Sequence, residues 1–189
     1  MEYMLKELSL EISDELYDMY QDIPSGENGQ TNDAYGLNKT EFEDWILKQI
    51  NRKNNEINFD DTPTITYIMY VDNYPIGYIC LRTKINEQWR KWSGNFYYQV
   101  RSSERRKDYA TKMLSLGLEK LKEMGFNEVY GQSSKGNIGS QKTIENNNGI
   151  LLDEVEGTHY YKIKLWFAIW PGKVLSKFDN ILSHTIKHI

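Results

Sequence analysis

The centre of this chain joins a short strand, a tight basic turn and a long amphipathic helix with nothing between them. Residues 95–100 are mostly aromatic or β-branched, as strands are, and residues 110–124 place apolar side chains at helical spacing before Gly125 ends the helix. A helix that starts directly after a turn presents free backbone N–H groups and the positive end of its dipole, where anions such as phosphate bind. The basic residues 105–107 add positive charge. The segment therefore favours an α/β fold with an anion-binding edge.

Strands and helices alternate around this unit. The expected strands cover residues 4–12, 64–71, 76–83, 95–100, 126–130, 150–155 and 159–165. The expected helices cover residues 14–20, capped by Ser13, a stretch from Asn38 or Thr40 to residue 50, and residues 110–124 and 138–146. Polar connections are expected at residues 22–37, 51–63 and 86–92. This order predicts one α/β domain with a mixed, mostly antiparallel twisted sheet of about seven strands flanked by helices.

The charge distribution limits the partners and compartments. Residues 13–61 contain 12 acidic and 4 basic residues, a net charge of 4 − 12 = −8 in a chain of net charge −4. This acidic segment either attracts a cationic, amine-bearing partner or forms solvated helix faces, and it opposes nucleic-acid binding. No apolar run reaches the roughly 18 residues of a membrane span. The charged N-terminus and the single cysteine, Cys80, favour a cytoplasmic protein without disulfides or membrane contact.

Two blocks of the sequence together resemble a known family. Residues 97–114 hold Arg105 and Ala110 at the ends of an Arg/Gln-x-x-Gly-x-Gly/Ala pattern, and residues 137–149 follow at the family's spacing. With the order of elements, they resemble the acetyl-CoA-binding core of the GCN5-related N-acetyltransferase (GNAT) family. Residues 35–37 and 42–45 look like the N-terminal part of a subgroup of small bacterial acetyltransferases. The resemblance implies a GNAT-like domain over residues 1–165 and leaves residues 166–189 as an extension predicted to be helical.

The resemblance also implies a co-substrate and a reaction. In the family, the pantetheine arm of acetyl-CoA lies against the strand before the turn, and the pyrophosphate lies on the backbone N–H groups of the turn. Carried onto this sequence, the implied cofactor-binding residues are Tyr98, Val100, Arg105, Arg106, Lys107, Asp108, Tyr109, Ala110, Asn137 and Ser140. The implied reaction is direct transfer of the acetyl group to a primary amine of a small molecule, with no metal and no covalent enzyme intermediate.

Two positions of the turn depart from the family pattern. The subgroup usually reads Arg-Gly-Lys-Gly-Tyr-Ala, and this chain has Arg106 and Asp108 in place of the glycines. Glycine permits a positive φ and the close approach of a ligand, whereas Asp108 adds a Cβ atom and a negative charge at an anion site. We hypothesise that Asp108 partly occupies this site by accepting hydrogen bonds from the helix N–H groups, while Arg106 and Lys107 compensate its charge.

The sequence assigns no acid–base pair. Many family members have a tyrosine that reprotonates the leaving thiolate at the position of Ile144, and residues 93–100 contain no carboxylate. Glu87, Tyr98 and Tyr160 are the candidates for proton transfer, with packing as the alternative role of the tyrosines. The alternative function is a non-catalytic or weakly CoA-binding GNAT-fold module that acts in binding or regulation.

The remaining candidates carry weaker signals. His184 and His188 have a spacing that metal ligands use on helices, but a surface pair is the preferred interpretation. Cys80 is expected to be a buried small apolar residue. The apolar stripe of the C-terminal extension predicts packing on the domain or on a second subunit, and hence a candidate homodimer.

Overall fold

The computed structural model describes residues 1–27, 30–57 and 61–165, which form seven strands and five α-helices. The strands are β1 (Tyr3–Glu7), β2 (Thr64–Val71), β3 (Tyr74–Arg82), β4 (Phe96–Val100), β5 (Glu128–Ser134), β6 (Ile150–Val155) and β7 (Thr158–Lys164). The helices are α1 (Asp14–Gln21), α2 (Lys39–Asn51), α3 (Glu87–Trp92), α4 (Tyr109–Glu123) and α5 (Ile138–Glu145), with 3₁₀ turns at Arg52–Asn54 and Ser102–Glu104. Among these residues, no helix has the length and apolar character that crossing a membrane requires.

The C-terminal extension, predicted to be helical and to form a dimer contact, lies outside the described residues. His184 and His188 lie outside them as well. The expected division into residues 1–165 and 166–189 therefore stays a prediction.

The first two helices begin where the sequence predicts. Ser13 Oγ accepts a hydrogen bond from Leu16 N at 3.2 Å and caps α1. Asn38 caps α2 in a reciprocal capping box with Glu41, which resolves the choice between Asn38 and Thr40. The apolar face of α2 then packs against the sheet, with Phe42 and Ile46 buried. Buried residues of both helices share one apolar cluster, so α1 and α2 pack on the same side of the sheet.

Residues 86–92, predicted as a connection, form helix α3 from Glu87 to Trp92. Asn86 Oδ1 accepts a hydrogen bond from Trp89 N at 3.0 Å, and Glu87 pairs with Arg90 at 3.1 Å. The prediction is wrong because this six-residue helix is set by its cap, and one and a half turns are too short to display an apolar period.

The ranges of β1 and β5 differ most from the predictions. β5 runs to Ser134, beyond the predicted end at residue 130, because it stays paired with β7 as far as Thr158. β1 ends at Glu7 because its pairing with β2 ends there, opposite Tyr67. β5 begins at Glu128 because Phe126 N still donates a hydrogen bond to Leu121 O, at 3.1 Å, in the C-terminal turn of α4. Gly125, with a φ of 93°, forms this turn as predicted.

The expected seven-stranded α/β fold is confirmed, and its strands divide into two antiparallel sheets. One sheet has the order β1-β2-β3-β4 and the other has the order β5-β7-β6. The four-stranded sheet is covered by α1 and α2 on one face and by α4 on the other. The core under α4 includes Val129 of β5 and Ile163 of β7, so it holds the two sheets together.

The two sheets meet where β4 and β5 begin. Asn95 N donates to Tyr130 O at 2.7 Å, and the Asn95 side chain accepts from Tyr130 N at 2.9 Å. Backbone approaches here are close: a Cβ atom on Gly94 would lie 2.2 Å from Tyr130 O, and one on Gly131 would lie 2.4 Å from the Phe96 ring. Beyond this joint, β4 and β5 diverge and leave a cleft between them.

Candidate active site

A cleft with a volume of about 1170 Å³ lies between β4 and β5 and is bounded by the first turns of α4 and α5. Nine of the residues predicted to bind a cofactor line it: Tyr98, Val100, Arg105, Arg106, Asp108, Tyr109, Ala110, Asn137 and Ser140. Lys107 does not line it, and its ammonium group pairs with Glu104 at 2.8 Å. The fold thus brings the turn and the second block of the sequence to one place.

The turn before α4 has a left-handed backbone at both positions where the family has glycine. Arg106 has a φ of 65° and Asp108 a φ of 61°, values that side chains other than glycine adopt at a cost. Asp108 is the N-cap residue of α4, but its side chain makes no capping hydrogen bond. The hypothesis that its carboxylate occupies the anion site is therefore wrong, since the left-handed backbone replaces the extended one that a capping side chain needs.

The charges around the turn are balanced. Arg105 pairs with Glu27 at 2.6 Å, and its Nε donates to Val100 O at 3.1 Å. The charged residues among the described lining are three basic and three acidic, namely Arg105, Arg106 and Lys142, and Glu27, Glu104 and Asp108. Side-chain charge therefore adds little net attraction for an anion. The first N–H groups of α4 and the dipole of this helix remain as the main anion-binding features.

The edge of β4 that faces the cleft has backbone groups available for a ligand. Arg101 N donates a hydrogen bond to Ile76 O of β3 at 2.9 Å. This bond shows which residues of β4 direct their N–H and C=O groups towards β3 and which direct them to the opposite edge. Because residues of a strand alternate between its two edges, Tyr98 and Val100 direct their N–H and C=O groups to the cleft. β5 does not pair with this edge in the described residues, so an extended ligand can add to it as a strand would.

The side chain of Tyr98 spans the gap from β4 to α5. Its hydroxyl lies 3.0 Å from Ser140 Oγ, and the Asn137 side chain accepts from Ser140 N at 3.0 Å to cap α5. Burial raises the pKa of Tyr98, and hydrogen bonds with Ser140 and Thr143 offset this only in part. The phenol is therefore protonated at neutral pH.

Two of the three candidates for proton transfer, and also Ile144, lie outside the cleft lining. Glu87 is exposed at the start of α3 and pairs with Arg90. Tyr160 is half-buried in the middle of β7. Ile144, at the position of the family's tyrosine, is fully buried, and Thr143 lines the cleft instead. Of the three candidates for proton transfer, only Tyr98 lies in the cleft lining within the described part of the chain.

Sequence reasoning missed several residues of the cleft. Glu27 and Gln30 reach it from the connection between α1 and α2, and Gln132 lines it from β5. The connection has no periodic pattern, so no local signal places Glu27 beside Arg105. Gln132 lies beyond residue 130, where the predicted strand ends, whereas β5 continues to Ser134. Across residues 1–27, 30–57 and 61–165, no three His, Cys, Asp or Glu side chains come together as metal ligands would.

Comparisons with known proteins agree with this geometry. The sequence matches the Acetyltransferase (GNAT) family over residues 14–149, well over half of its 189 residues. No curated protein matches the chain.

Solved structures share the fold at low sequence identity. The GNAT-family acetyltransferase from Streptococcus pneumoniae is 11% identical with a TM-score of 0.60, and the N-acetyltransferase PseH from Campylobacter jejuni, solved with acetyl coenzyme A, is 14% identical with a TM-score of 0.57. The PaiA N-acetyltransferase from Thermoplasma acidophilum, solved with coenzyme A, is 15% identical with a TM-score of 0.57. Each similarity covers 87% of this chain and 100% of the other. Since the family match spans both blocks of the site, the chain belongs to the GNAT family of acetyltransferases.

Proposed function

We propose that this protein is an acetyl-CoA-dependent N-acetyltransferase that transfers an acetyl group to a primary amine of a small molecule. The observation that carries the proposal is the cleft itself, in which a free strand edge on β4 leads to the N-terminus of α4. These two features match two adjoining parts of a CoA molecule, the amide-bearing pantetheine arm and the pyrophosphate. Residues 1–165 would form the catalytic domain, in a bacterial cytoplasm that keeps Cys80 reduced.

The cofactor would bind along the cleft from β4 to α4. The amide groups of pantetheine would pair with the backbone of Tyr98 and Val100, and the pyrophosphate would accept hydrogen bonds from the N–H groups at Tyr109 and Ala110. Arg105 and Arg106 line this end of the cleft and would contact the phosphate oxygens. The PseH and PaiA structures, solved with acetyl coenzyme A and with coenzyme A, support this choice of ligand.

Tyr98 would be the proton donor of the reaction. The neutral amine attacks the thioester carbonyl carbon, the C–N bond forms, the C–S bond breaks, and the amine loses its proton to water. The departing CoA thiolate takes the proton of the Tyr98 hydroxyl, which solvent then replaces. A phenol kept neutral by burial is suited to this step. The Tyr98 hydroxyl on β4 would replace the tyrosine hydroxyl that family members carry on α5, where this chain has the buried Ile144.

The acceptor would reach the cleft from the side of α1 and α2. Residues 13–61, which include both helices, carry a net charge of −8 from 4 basic and 12 acidic residues. A negative potential of this kind concentrates small cationic amines and repels anionic ones. This supports a small amine as the acceptor class.

The test combines acetyl-CoA titration with a CoA-release assay on a panel of small amines. The wild type is expected to bind acetyl-CoA and to release CoA only when an amine is present. Tyr98→Phe is expected to lower kcat by about 100-fold, the lower end of a general acid's contribution, while the Kd of acetyl-CoA changes by less than about threefold. Because burial raises the pKa of Tyr98, the wild-type rate should fall only above pH about 10, as the phenol ionises.

A matched variant separates the chemical role from a general effect of removing a hydroxyl. Tyr160→Phe changes a half-buried tyrosine outside the cleft and should leave kcat within about twofold. Equal loss in both variants would contradict the role of Tyr98. No binding of acetyl-CoA at millimolar concentration would contradict the enzyme assignment and favour the non-catalytic module.

A further inference from the structure

Gln99 of β4 carries a buried amide group that has no hydrogen-bond partner. Its side chain is 8% exposed and lines the cleft. Within the described part of the chain, its Nε2 atom is buried and makes no hydrogen bond. Buried polar groups of folded proteins are almost always hydrogen-bonded, because an unpaired one has lost its bonds with water and gained none. An unpaired donor in the wall of a ligand cleft therefore indicates a partner that arrives with the ligand.

The surroundings of Gln99 are aromatic. Gln99 lies opposite Tyr78 in the pairing of β4 with β3, so the two side chains share one face of the sheet. This face is the one covered by α1 and α2, where the Tyr78 ring stacks on Tyr20 at 5.1 Å and meets the Tyr97 ring edge-on at 6.5 Å. An apolar side chain of the same length would pack among these rings without leaving a polar atom unpaired. Packing alone therefore gives no reason for an amide at this position.

Gln99 and Tyr98 lie on opposite faces of β4. Side chains of a strand alternate between its two faces, and Tyr98 reaches α5 whereas Gln99 lies on the side of α1 and α2. Both side chains line the cleft, because it runs along the edge of β4 that no described strand pairs with. In the proposed reaction, Tyr98 serves the thiolate and the amine enters from the side of α1 and α2. Gln99 is therefore on the side of the acceptor.

We propose that Gln99 recognises the acceptor amine by donating a hydrogen bond to an uncharged oxygen atom of that molecule. The inference rests on the proposed function and narrows its acceptor class to small amines that also carry a hydroxyl, ether or amide carbonyl oxygen. The terminal torsion of a glutamine has a broad energy profile, so the amide can turn its N–H groups into the cleft. An uncharged oxygen fits this site better than a carboxylate, because the amide has no charge to offset the desolvation of an anion.

Two amines of the same shape test the proposal in the full-length protein. 2-Methoxyethylamine and butylamine differ only by an ether oxygen in place of a methylene group, and rates are expressed per unprotonated amine because the ether lowers the pKa of the amine itself. For the wild type, kcat/KM should be at least about tenfold higher with 2-methoxyethylamine than with butylamine. In Gln99→Met, which keeps the length of the side chain and removes the amide, this ratio should fall to about one.

A matched variant controls for the loss of a glutamine as such. Gln88 lies on α3 and outside the cleft lining, so Gln88→Met should keep the ratio of the wild type. An equal fall of the ratio in both variants would overturn the proposal.

Binding without turnover and thermal stability separate recognition from a structural role. In the presence of CoA, which cannot react, NMR titration should show that 2-methoxyethylamine binds at least about tenfold more weakly to Gln99→Met than to the wild type. The Tm of Gln99→Met should equal or exceed that of the wild type, because the substitution removes a buried group that has no partner to lose. A lower Tm together with unchanged binding would show that the amide is structural and would overturn the proposal.

The assays also distinguish failure of this inference from failure of the proposed function. Acetyl-CoA-dependent acetylation of both amines with the same ratio in the wild type and in Gln99→Met would overturn the role of Gln99 and leave the acetyltransferase assignment intact. Absence of both acetyl-CoA binding and CoA release with any amine would overturn the proposed function, and the role of Gln99 with it.

Discussion

At the scale of single residues, the backbone of the turn before α4 is strained at Arg106 and Asp108. Their φ values of 65° and 61° lie in the left-handed region, which costs ordinary L-residues about 1–2 kcal/mol and Asp somewhat less. Asp108 makes no capping hydrogen bond to offset this strain. The N–H groups of the first turn of α4 therefore stay available, while a carboxylate sits next to them.

Removing the charge of Asp108 should tighten acetyl-CoA binding. Two charges about 4 Å apart interact by roughly 4 kcal/mol at an effective dielectric of 20, and after screening we expect about a tenfold lower Kd for Asp108→Asn. Titration calorimetry at low and high salt checks this, since the gain should shrink as salt rises. Asp108→Gly is the matched variant that also removes the Cβ atom. Equal Kd values in the wild type and both variants would contradict an electrostatic role.

The residues that sequence reasoning could identify at the site are those in a local motif. Arg105, Ala110 and Asn137 stand in recognisable patterns, and all three line the cleft. Glu27 pairs with Arg105 only because the fold brings the connection after α1 to the turn, and a single sequence carries no sign of that contact. Lys107 was expected at the ligand site because the resemblance places the pyrophosphate on this turn, whereas its side chain pairs with Glu104 and does not line the cleft.

At the scale of secondary-structure elements, the joint between β4 and β5 determines where the cleft begins. Gly94 has a φ of 66°, and a Cβ atom there would lie 2.2 Å from Tyr130 O. The buried side chain of Asn95 completes the contact by accepting from Tyr130 N. The two strands can approach each other only because both features are present.

Gly94→Ala should destabilise the protein strongly. The new Cβ atom would meet backbone that cannot move aside, and the positive φ adds strain, so we expect a loss of about 3–5 kcal/mol in the free energy of unfolding. Gly157→Ala is the control, because Gly157 has a φ of 75° but open space around it, and should lose only about 1–2 kcal/mol. Urea unfolding of both variants measures the difference, and equal losses would contradict a steric joint.

The C-terminal end of α1 is tied to the turn before α4. Asp22 Oδ2 accepts hydrogen bonds from Arg101 Nε at 2.9 Å and from Ser103 Oγ at 2.5 Å. Burial raises the pKa of Asp22, but these hydrogen bonds outweigh it and lower the pKa below its ordinary value. The ionised carboxylate therefore holds the 3₁₀ turn Ser102–Glu104 in place beneath the cleft.

Asp22→Asn should lower stability in a pH-dependent way. A group with a depressed pKa in the folded state stabilises above its unfolded pKa, about 3.9, and loses that contribution as pH falls through the folded value. We expect a loss of about 1–2 kcal/mol at pH 7 that shrinks as the pH falls below the unfolded pKa of about 3.9. Denaturation at several pH values checks this against Asp33→Asn, an exposed aspartate in the same connection. A loss that is independent of pH would contradict the ionic clamp.

At the scale of the whole molecule, the sequence predicted the strand count and the element order because long periodic segments carry their own signal. Helix α4 and the hairpin of β2 and β3 are examples. The division into two sheets could not be predicted, because it depends on one close approach between Gly94 and Tyr130. The shared core under α4 joins residues that are far apart in the chain. For the same reason, the sequence alone does not show which face of each sheet is covered.

Acetyl-CoA should slow hydrogen exchange on both sides of the cleft. A ligand that pairs with β4 adds hydrogen bonds to a free edge, and at 100 times its Kd it would stabilise the folded state by about 2.7 kcal/mol. We expect the greatest protection at the first turn of α4 and along β4, and little change in β1, which lies at the far edge of the four-stranded sheet. Uniform protection throughout the protein would contradict binding in the cleft.

The narrow joint also bears on how long the protein survives in a cell. A backbone hydrogen bond from Asn95 N to Tyr130 O and a second from Tyr130 N to the Asn95 side chain join the two sheets beside the shared core under α4, so local opening there would expose β5 and β7 to proteases. A bound cofactor would bridge the gap and suppress that opening. The lifetime of the protein would then follow the supply of acetyl-CoA, and a starved cell would lose this protein faster than a well-fed one.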